Sequence, residues 1–327
     1  MVRQRAFSGL VDWYVEELGM NAADRLLLLS SASFDLTQKN FFAPLLVGAE
    51  LHLAPSEYDP AELRKHVERH GVTRLNCTPS VFYPLVEEGD PAALASLRSV
   101  VLGGEPIAVG RLDRWRSSAT CQAVVINSYG PTECTDVVAF HRLAPPDGVE
   151  PPGGVPLGRP IPGARLWIGG HGGEPAPIGV PGELWIGGEC AGGGYLGGPA
   201  RTAQRFLPDP ANETSGARVY RTGDRARRLS GGEIDYLGRI DHQVKVRGFR
   251  IEPGEIEAAL GDHPGVREAV VVTRGETLVA YVVPRNAAAP ADSDLRSFLT
   301  ARLPEPMLPG LFVILPALPL TPSGKVD

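Results

Sequence analysis

From Asp24 to about Val138, short apolar runs alternate with stretches of helical periodicity, and this pattern leaves few folds open. Each run is long enough for one strand, and each intervening stretch can carry the chain back as a crossover helix, so a largely parallel sheet covered by helices is expected. Pro60 to His70 reads as a helix opened by proline and closed by Gly71, with Val72 to Asn76 as the following strand. Pro79 to Glu88 is the next expected helix, and Leu97 to Leu102 and Ala123 to Asn127 are further strands. The polar turns after the strands, Gly103-Gly-Glu105 and Ser128 to Glu133, fall where open α/β sheets bind ligands.

The texture changes twice more. Between Pro145 and Gly238, Gly and Pro are frequent and alternating segments are brief, as in Glu183-Leu-Trp-Ile186, which suggests a β-rich, barrel-like subdomain. Beyond Asp241 a helix (Gly254 to Leu260), strands Glu268 to Thr273 and Thr277 to Val283, a helix (Asp294 to Leu303) and a last strand make a compact α+β unit. The Ala/Pro-rich Asn286 to Ala291 reads as a surface loop. The expected fold class is α/β: a partial layered core over 1–240, divided into an α/β part (1–144) and a β-rich part (145–240), then a small C-terminal α+β domain over 241–327.

A chain of 327 residues with net charge −6 lacks the clustered basic surface that phosphate backbones require, so nucleic acid is not expected as a partner. Apolar stretches such as Leu26 to Leu29 and Leu311 to Leu318 are too short to span a bilayer, and no signal-peptide core opens the chain; a cytoplasmic location is the expectation. Cys77, Cys121, Cys134 and Cys190 form no C-x-x-C pair and read as reduced thiols.

Five segments then carry a resemblance: Ser33-Phe-Asp-Leu-Thr37, Asn127-Ser-Tyr-Gly-Pro-Thr-Glu133, Gly182-Glu-Leu-Trp-Ile-Gly-Gly188, Tyr220-Arg-Thr-Gly-Asp224 and the run from Gly238-Arg-Ile-Asp241 to Glu257. In this order, closed by Pro322-Ser-Gly-Lys325, they resemble the adenylation domains of nonribosomal peptide synthetases, within the acyl-adenylate-forming superfamily. The family's Ser/Thr/Gly-rich loop ending in Pro-Lys-Gly has no match. Nor does G-x-x-x-x-G-K-[ST], because Val326 follows Lys325. The chain is therefore expected to correspond to roughly the C-terminal two-thirds of such a domain.

The resemblance implies ATP, with AMP as product or as part of the adenylate, together with Mg²⁺ and the phosphopantetheine of a carrier domain. It implies Lys325, Glu133 and Thr132 as catalytic residues, with Glu133 also at the metal. Asn127, Tyr129, Gly104, Asp224, Arg239 and Tyr220 would bind the nucleotide, Tyr129 against adenine and Asp224 on the ribose hydroxyls. Asp241 would be the hinge about which the small domain turns, bringing Lys245 to Gly248 to the site in a second state. A condensation domain and a small activator protein are further implied partners.

The acid pocket would be lined by Asp35, Leu36, Lys39, Asn76, Val101, Gly103, Ser128, Asp136 and Val137, with Lys325 closing it. Asp35 would pair with an α-ammonium group. Lys39 and Asp136, costly to bury alone, should pair with each other or with a polar substrate, so a polar or charged amino acid is expected. The residue types alone also allow turn-capping roles for Asp224 and Asn127 and solvated charges at Glu133 and Lys325. An acyl- or aryl-CoA ligase, or a catalytically incomplete fragment with a binding or docking role, remain the alternatives.

Overall fold

The structure is a computed structural model that describes residues 1–55, 58–145, 153–170, 174–209, 216–241, 243–246, 248–275, 277–286 and 289–319. The chain divides into two compact units, Met1–Ile240 and Asp241–Asp327.

In the first unit, seven strands form one sheet: β1 (Arg25–Leu28), β2 (Glu50–Leu53), β3 (Arg74–Cys77), β4 (Ser99–Gly103), β5 (Val124–Tyr129), β6 (Ala139–Arg142) and β7 (Arg159–Pro160). Their order is β2-β1-β3-β4-β5-β6-β7. The first five strands run parallel, as the alternating pattern requires, and β6 and β7 are antiparallel additions. The strand order reverses between β1 and β3, which opens a crevice beyond their carboxyl ends. Every site-bearing turn of this unit's α/β part leaves the sheet at that edge.

Helices α1 (Gln4–Leu18), α2 (Asp35–Val47), α3 (Pro60–His70), α4 (Pro79–Glu87) and the short α5 (Asp113–Arg116) accompany the sheet. The α3 boundaries coincide with those read from sequence because the signals are local. Asp59 accepts from the Ala61 and Glu62 amides, Pro60 needs no donor, and Gly71 adopts φ 58 at the C-terminus. Leu63 and Val67 face the core with Phe82 and Trp115. Helix α1 precedes the alternating region; its Leu10, Tyr14 and Leu18 recur at helical spacing and are buried.

At the amino ends of the strands a buried ionic fork ties the sheet together. Asp24, fully buried, accepts from Arg74 Nε at 3.1 Å and Nη2 at 3.2 Å, from Thr73 Oγ1 at 2.8 Å and from the Asn21 amide at 3.0 Å. Arg74 also donates to Ser99 Oγ at 3.0 Å, so one guanidinium joins the starts of β1, β3 and β4. Burial pushes the Asp24 carboxyl up, but Arg74 and the surrounding donors outweigh it and leave the group below its ordinary range.

The β-rich part is an antiparallel sheet of β8 (Ala164–Gly169), β9 (Gly182–Gly188), β10 (Phe206–Pro208), β11 (Arg218–Arg228) and β12 (Ile234–Arg239), with α6 (Pro199–Arg205) before β10. Strand β11 pairs β9 on one side and β10 and then β12 on the other. Its register against β9 shifts between Arg221 and Arg225, where Gly223 has φ 74. Such a bulge re-aims one side chain out of the ladder, here Asp224.

The second unit holds the hairpin β13 (Val244–Val246) and β14 (Phe249–Ile251), α7 (Pro253–Gly261), β15 (Val266–Arg274), β16 (Thr277–Pro284), α8 (Asp292–Thr300) and β17 (Leu311–Ile314). Strands β15, β16 and β17 form one sheet, packed with Ile256, Leu260, Leu295 and Leu299. Helix α8 ends at Thr300, short of the expected Leu303; Ala301 keeps αR geometry and the Leu303 amide still bonds Leu299 O at 2.8 Å, so the helix runs out through one last turn before Pro304, which disfavours helical geometry at Leu303.

Removing one member of the Asp24–Arg74 fork leaves the other charge buried. Asp24→Ala is expected to destabilise the chain by about 3–5 kcal/mol, read as a lower urea midpoint. Because the folded Asp24 pKa is depressed, its stabilisation is present above the ordinary carboxylate pKa of about 3.9 and is lost as pH falls below it. The variant should therefore lose less stability on acidification than the parent.

Candidate active site

The turn after β5 organises the site. The chain leaves Tyr129 through Gly130 and Pro131, makes a single 3₁₀ turn over Thr132–Cys134, and doubles back so that the Val138 amide bonds Tyr129 O at 2.8 Å. Any Cβ at Gly130 would lie 1.8 Å from Asp136 O, so this crossing admits only glycine. Thr135 (φ 64) and Asp136 (φ 67) are both left-handed, an uncommon conformation that costs each non-glycine residue about 1–2 kcal/mol. The Thr135 hydroxyl offsets part of that cost with a bond to Cys190 O at 2.9 Å.

Tyr129, Asp224 and Arg239 come together from β5, β11 and β12. The Tyr129 hydroxyl donates to Asp224 Oδ2, and Arg239 Nη1 reaches Asp224 Oδ1 at 2.8 Å and Thr222 O at 2.9 Å. Tyr129 and Asp224 are buried and Arg239 nearly so; the Thr222 hydroxyl donates to Leu184 O at 2.7 Å and accepts from the Asp224 amide at 2.9 Å. Burial, reinforced by the Asp224 charge, holds the Tyr129 phenol protonated well above its usual range. Each Asp224 oxygen keeps a second lone pair, so the carboxylate can still accept from a vicinal diol. Asn127, on the same strand, donates to Pro156 O at 2.7 Å.

Glu133 is half-buried and accepts from the Tyr195 hydroxyl at 2.7 Å. Tyr220 is fully buried, with its ring 5.0 Å from that of Phe206, which lies 5.7 Å from the Tyr195 ring. A single carboxylate on a turn suits Mg²⁺, which keeps waters and phosphate oxygens as most of its ligands. Among the described residues no group of three or more His, Cys, Asp or Glu side chains is arranged to cage a metal.

The expected acid pocket assembles at the carboxyl ends of β3, β4 and β5. Asn76 ends its run on β3, Val101 and Gly103 lie on β4, and Ser128 sits opposite Gly103 on β5. A Cβ at Gly103 would meet Ser128 Oγ at 2.6 Å, which keeps this edge bare, and Gly104 turns the chain away at φ 85. Leu36 and Val137 are buried beside it. Lys39, with no exposed surface, donates to Asp136 Oδ2 at 2.5 Å and to Leu36 O at 3.0 Å, and lies 5.6 Å from the Tyr14 ring centroid. The two buried charges therefore meet each other. Burial still pushes the Asp136 carboxyl up, with Lys39 pulling the other way.

Asp35 starts α2. Its Oδ1 accepts from the Leu36 amide at 2.8 Å and its Oδ2 from the Thr132 hydroxyl. Tyr14 and Asn40, joined at 3.0 Å beneath Lys39, belong to this polar cluster without being foreseen; their signal was the helical spacing of α1, which reads as core. The Asn76 amide reaches hydrogen-bonding geometry with none of the described residues. Asp241 lies in the second unit, where its Oδ1 accepts from the Gln243 amide at 3.3 Å, and Lys325 lies outside the described residues.

Lys39→Met strands a buried carboxylate and is expected to cost about 3–5 kcal/mol at neutral pH, with most of it restored in Lys39→Met/Asp136→Asn. Chemical denaturation against pH checks this: the deficit of the single variant should shrink on acidification, because a protonated Asp136 leaves no charge buried.

Comparison with known proteins bears on the family and the fold. The family model for AMP-binding enzymes matches residues 1–196, and that for the AMP-binding enzyme C-terminal domain matches 255–325. A dimodular nonribosomal peptide synthase of Bacillus subtilis (strain 168) is 38% identical over 334 residues, covering 100% of this chain and 14% of its own length. The Vibrio cholerae adenylation domain AlmE, solved in complex with glycyl-adenosine-5'-phosphate, superposes with a TM-score of 0.85 at 26% identity, over 99% of this chain and 61% of that one. NpsA-ThdA, an artificially fused adenylation-PCP di-domain from Klebsiella oxytoca, gives 0.83 at 27% identity, over 95% of this chain and 57% of that one. This chain thus spans less than two thirds of the length of each of these three. It belongs to the AMP-binding enzyme family, with the sequence and fold of a nonribosomal peptide synthetase adenylation domain.

Proposed function

We propose that the chain serves ATP-dependent activation of an amino acid as its aminoacyl-adenylate, with release of pyrophosphate and later transfer of the acyl group to a carrier-domain phosphopantetheine thiol. The observation that carries this reading is the turn from Asn127 to Val137, whose residues reach both the Tyr129–Asp224–Arg239 group and the Asp35 carboxylate. Nucleotide and acid would then meet across one short piece of backbone, which is what an in-line condensation needs.

In this reading Asp224, held by Arg239 and Tyr129, accepts the ribose hydroxyls, and Asn127 and Tyr129 face the base. Glu133 would hold Mg²⁺, which supplies charge neutralisation between phosphates when bound. Lys325 would bridge the acid and the nucleotide, a compact cation on a flexible stem delivered by the second unit. The division of the chain between Ile240 and Asp241 supports a hinge there. NpsA-ThdA, which joins an adenylation domain to a PCP, supports a carrier domain as acceptor.

Asp35 favours an amino acid over a fatty or aryl acid. Among the described residues no cation lies within ion-pair distance of it, so it offers an unneutralised carboxylate to an ammonium group. The polar lining of Lys39, Asn76, Ser128 and Asp136 favours a polar substrate.

ATP–pyrophosphate exchange by this chain across an amino-acid panel tests the reading. Exchange should depend on a polar amino acid, and Lys325→Ala should lower it by about 100-fold or more. Preference for Leu, Val or Phe would overturn the polar assignment. Exchange driven by fatty or aryl acids with free CoA as acceptor would identify a CoA ligase. AMP binding without exchange would leave a binding role.

A further inference from the structure

The contact between Asp35 and Thr132 joins residues 97 apart in sequence, from the two halves of the site. A carboxylate at a helix start ordinarily accepts from the free amides of the first turn. Here only Oδ1 does so, with the Leu36 amide at 2.8 Å, and Oδ2 is drawn across to the hydroxyl of the nucleotide-side turn. The loop entering α2 is itself pinned, with Thr37 Oγ1 donating to Ser31 O at 2.7 Å, so the carboxylate has little freedom apart from its own rotation.

A threonine hydroxyl has one proton. While Thr132 gives it to Asp35, it has none to offer a phosphate, although its oxygen can still accept. The residue is also exposed, so the bond contributes little to folding and its main effect is to set the direction of the Asp35 carboxylate. Asp136, the other acid of the pocket, is already neutralised by Lys39. Among the described residues no cation pairs with Asp35, so it is a pocket carboxylate whose orientation a substrate ammonium would feel.

We propose that Thr132 is a positioning residue that aims Asp35 at the substrate ammonium, so that selectivity for amino acids over plain carboxylic acids depends on a hydroxyl from the nucleotide-side turn. This rests on the amino-acid-adenylate reading above. Pre-orienting the carboxylate removes the cost of fixing it on binding, and that gain appears only for ligands that carry the ammonium.

The test is calorimetric titration of the chain with three probes: 5'-O-sulfamoyladenosine, its N-glycyl derivative and its N-acetyl derivative. The glycyl probe has the ammonium and no side chain, and the acetyl probe differs from it only by that group. The parent chain should bind the glycyl probe about ten-fold or more tighter than the acetyl probe. In the nearly isosteric Thr132→Val that ratio should fall to about two-fold or less, and Thr132→Ser should restore it. A ratio retained in Thr132→Val overturns the proposal, as does an equal loss for all three probes, which would mark a merely structural role. Absence of any glycyl preference in the parent overturns it too. A parent chain that binds none of the three contradicts the adenylate reading itself, a different and recognisable failure.

Discussion

The backbone crossing at Gly130 is the constraint on which the site depends. Because the chain returns to within contact of its own path at Asp136, one glycine sets where Tyr129, Thr132, Glu133, Asp136 and Val137 all stand. Two left-handed non-glycine residues in succession follow from that return, and the bond from Thr135 to Cys190 O ties the strained turn to the β-rich part. Strain of this kind persists only where surrounding structure over-determines it, and here the surroundings are the two groups that the turn serves.

The charges of the first unit are sorted along the sheet. At the amino ends, Asp24 and Arg74, with Thr73, Asn21 and Ser99 as further partners, join the starts of three strands. At the carboxyl ends, Lys39 and Asp136 pair in the interior, whereas Asp35 nearer the surface has a hydroxyl partner and, among the described residues, no cation. Buried charges need partners, and a carboxylate left without a cation at the mouth of a crevice is the group free to take one from a ligand.

Elements whose signals are local were legible in the sequence. Helix α3 carries Asp59, Pro60 and Gly71 as its own punctuation, and its bounds follow from those three residues. Strand β5 was expected to end at Asn127 and runs on to Tyr129, because Ser128 and Tyr129 pair with Phe140 and Ala139 of β6, a partner that no local pattern reveals. Helix α8 was harder to bound, since its apolar pattern continues through Leu303 while the helix runs out through one last turn before Pro304. Within the site the residue types were legible, as was the need for Lys39 and Asp136 to find partners. The contacts of Thr132 with Asp35 and of Tyr195 with Glu133 were not, because they join turns that no local pattern relates.

The sequence by itself determined the layered α/β architecture, the family and the residue types from which a site can be built. Periodicity, capping and motif spacing are properties of neighbouring residues and need no fold to be read. Only the tertiary structure decided which of those residues meet: that Tyr129 and Arg239 divide the oxygens of Asp224, that Lys39 is spent on Asp136, and that Thr132 turns toward Asp35. The reason is geometric. A side chain's partner across a sheet edge is set by strand order, register and one tight backbone crossing, and none of these is a function of local sequence.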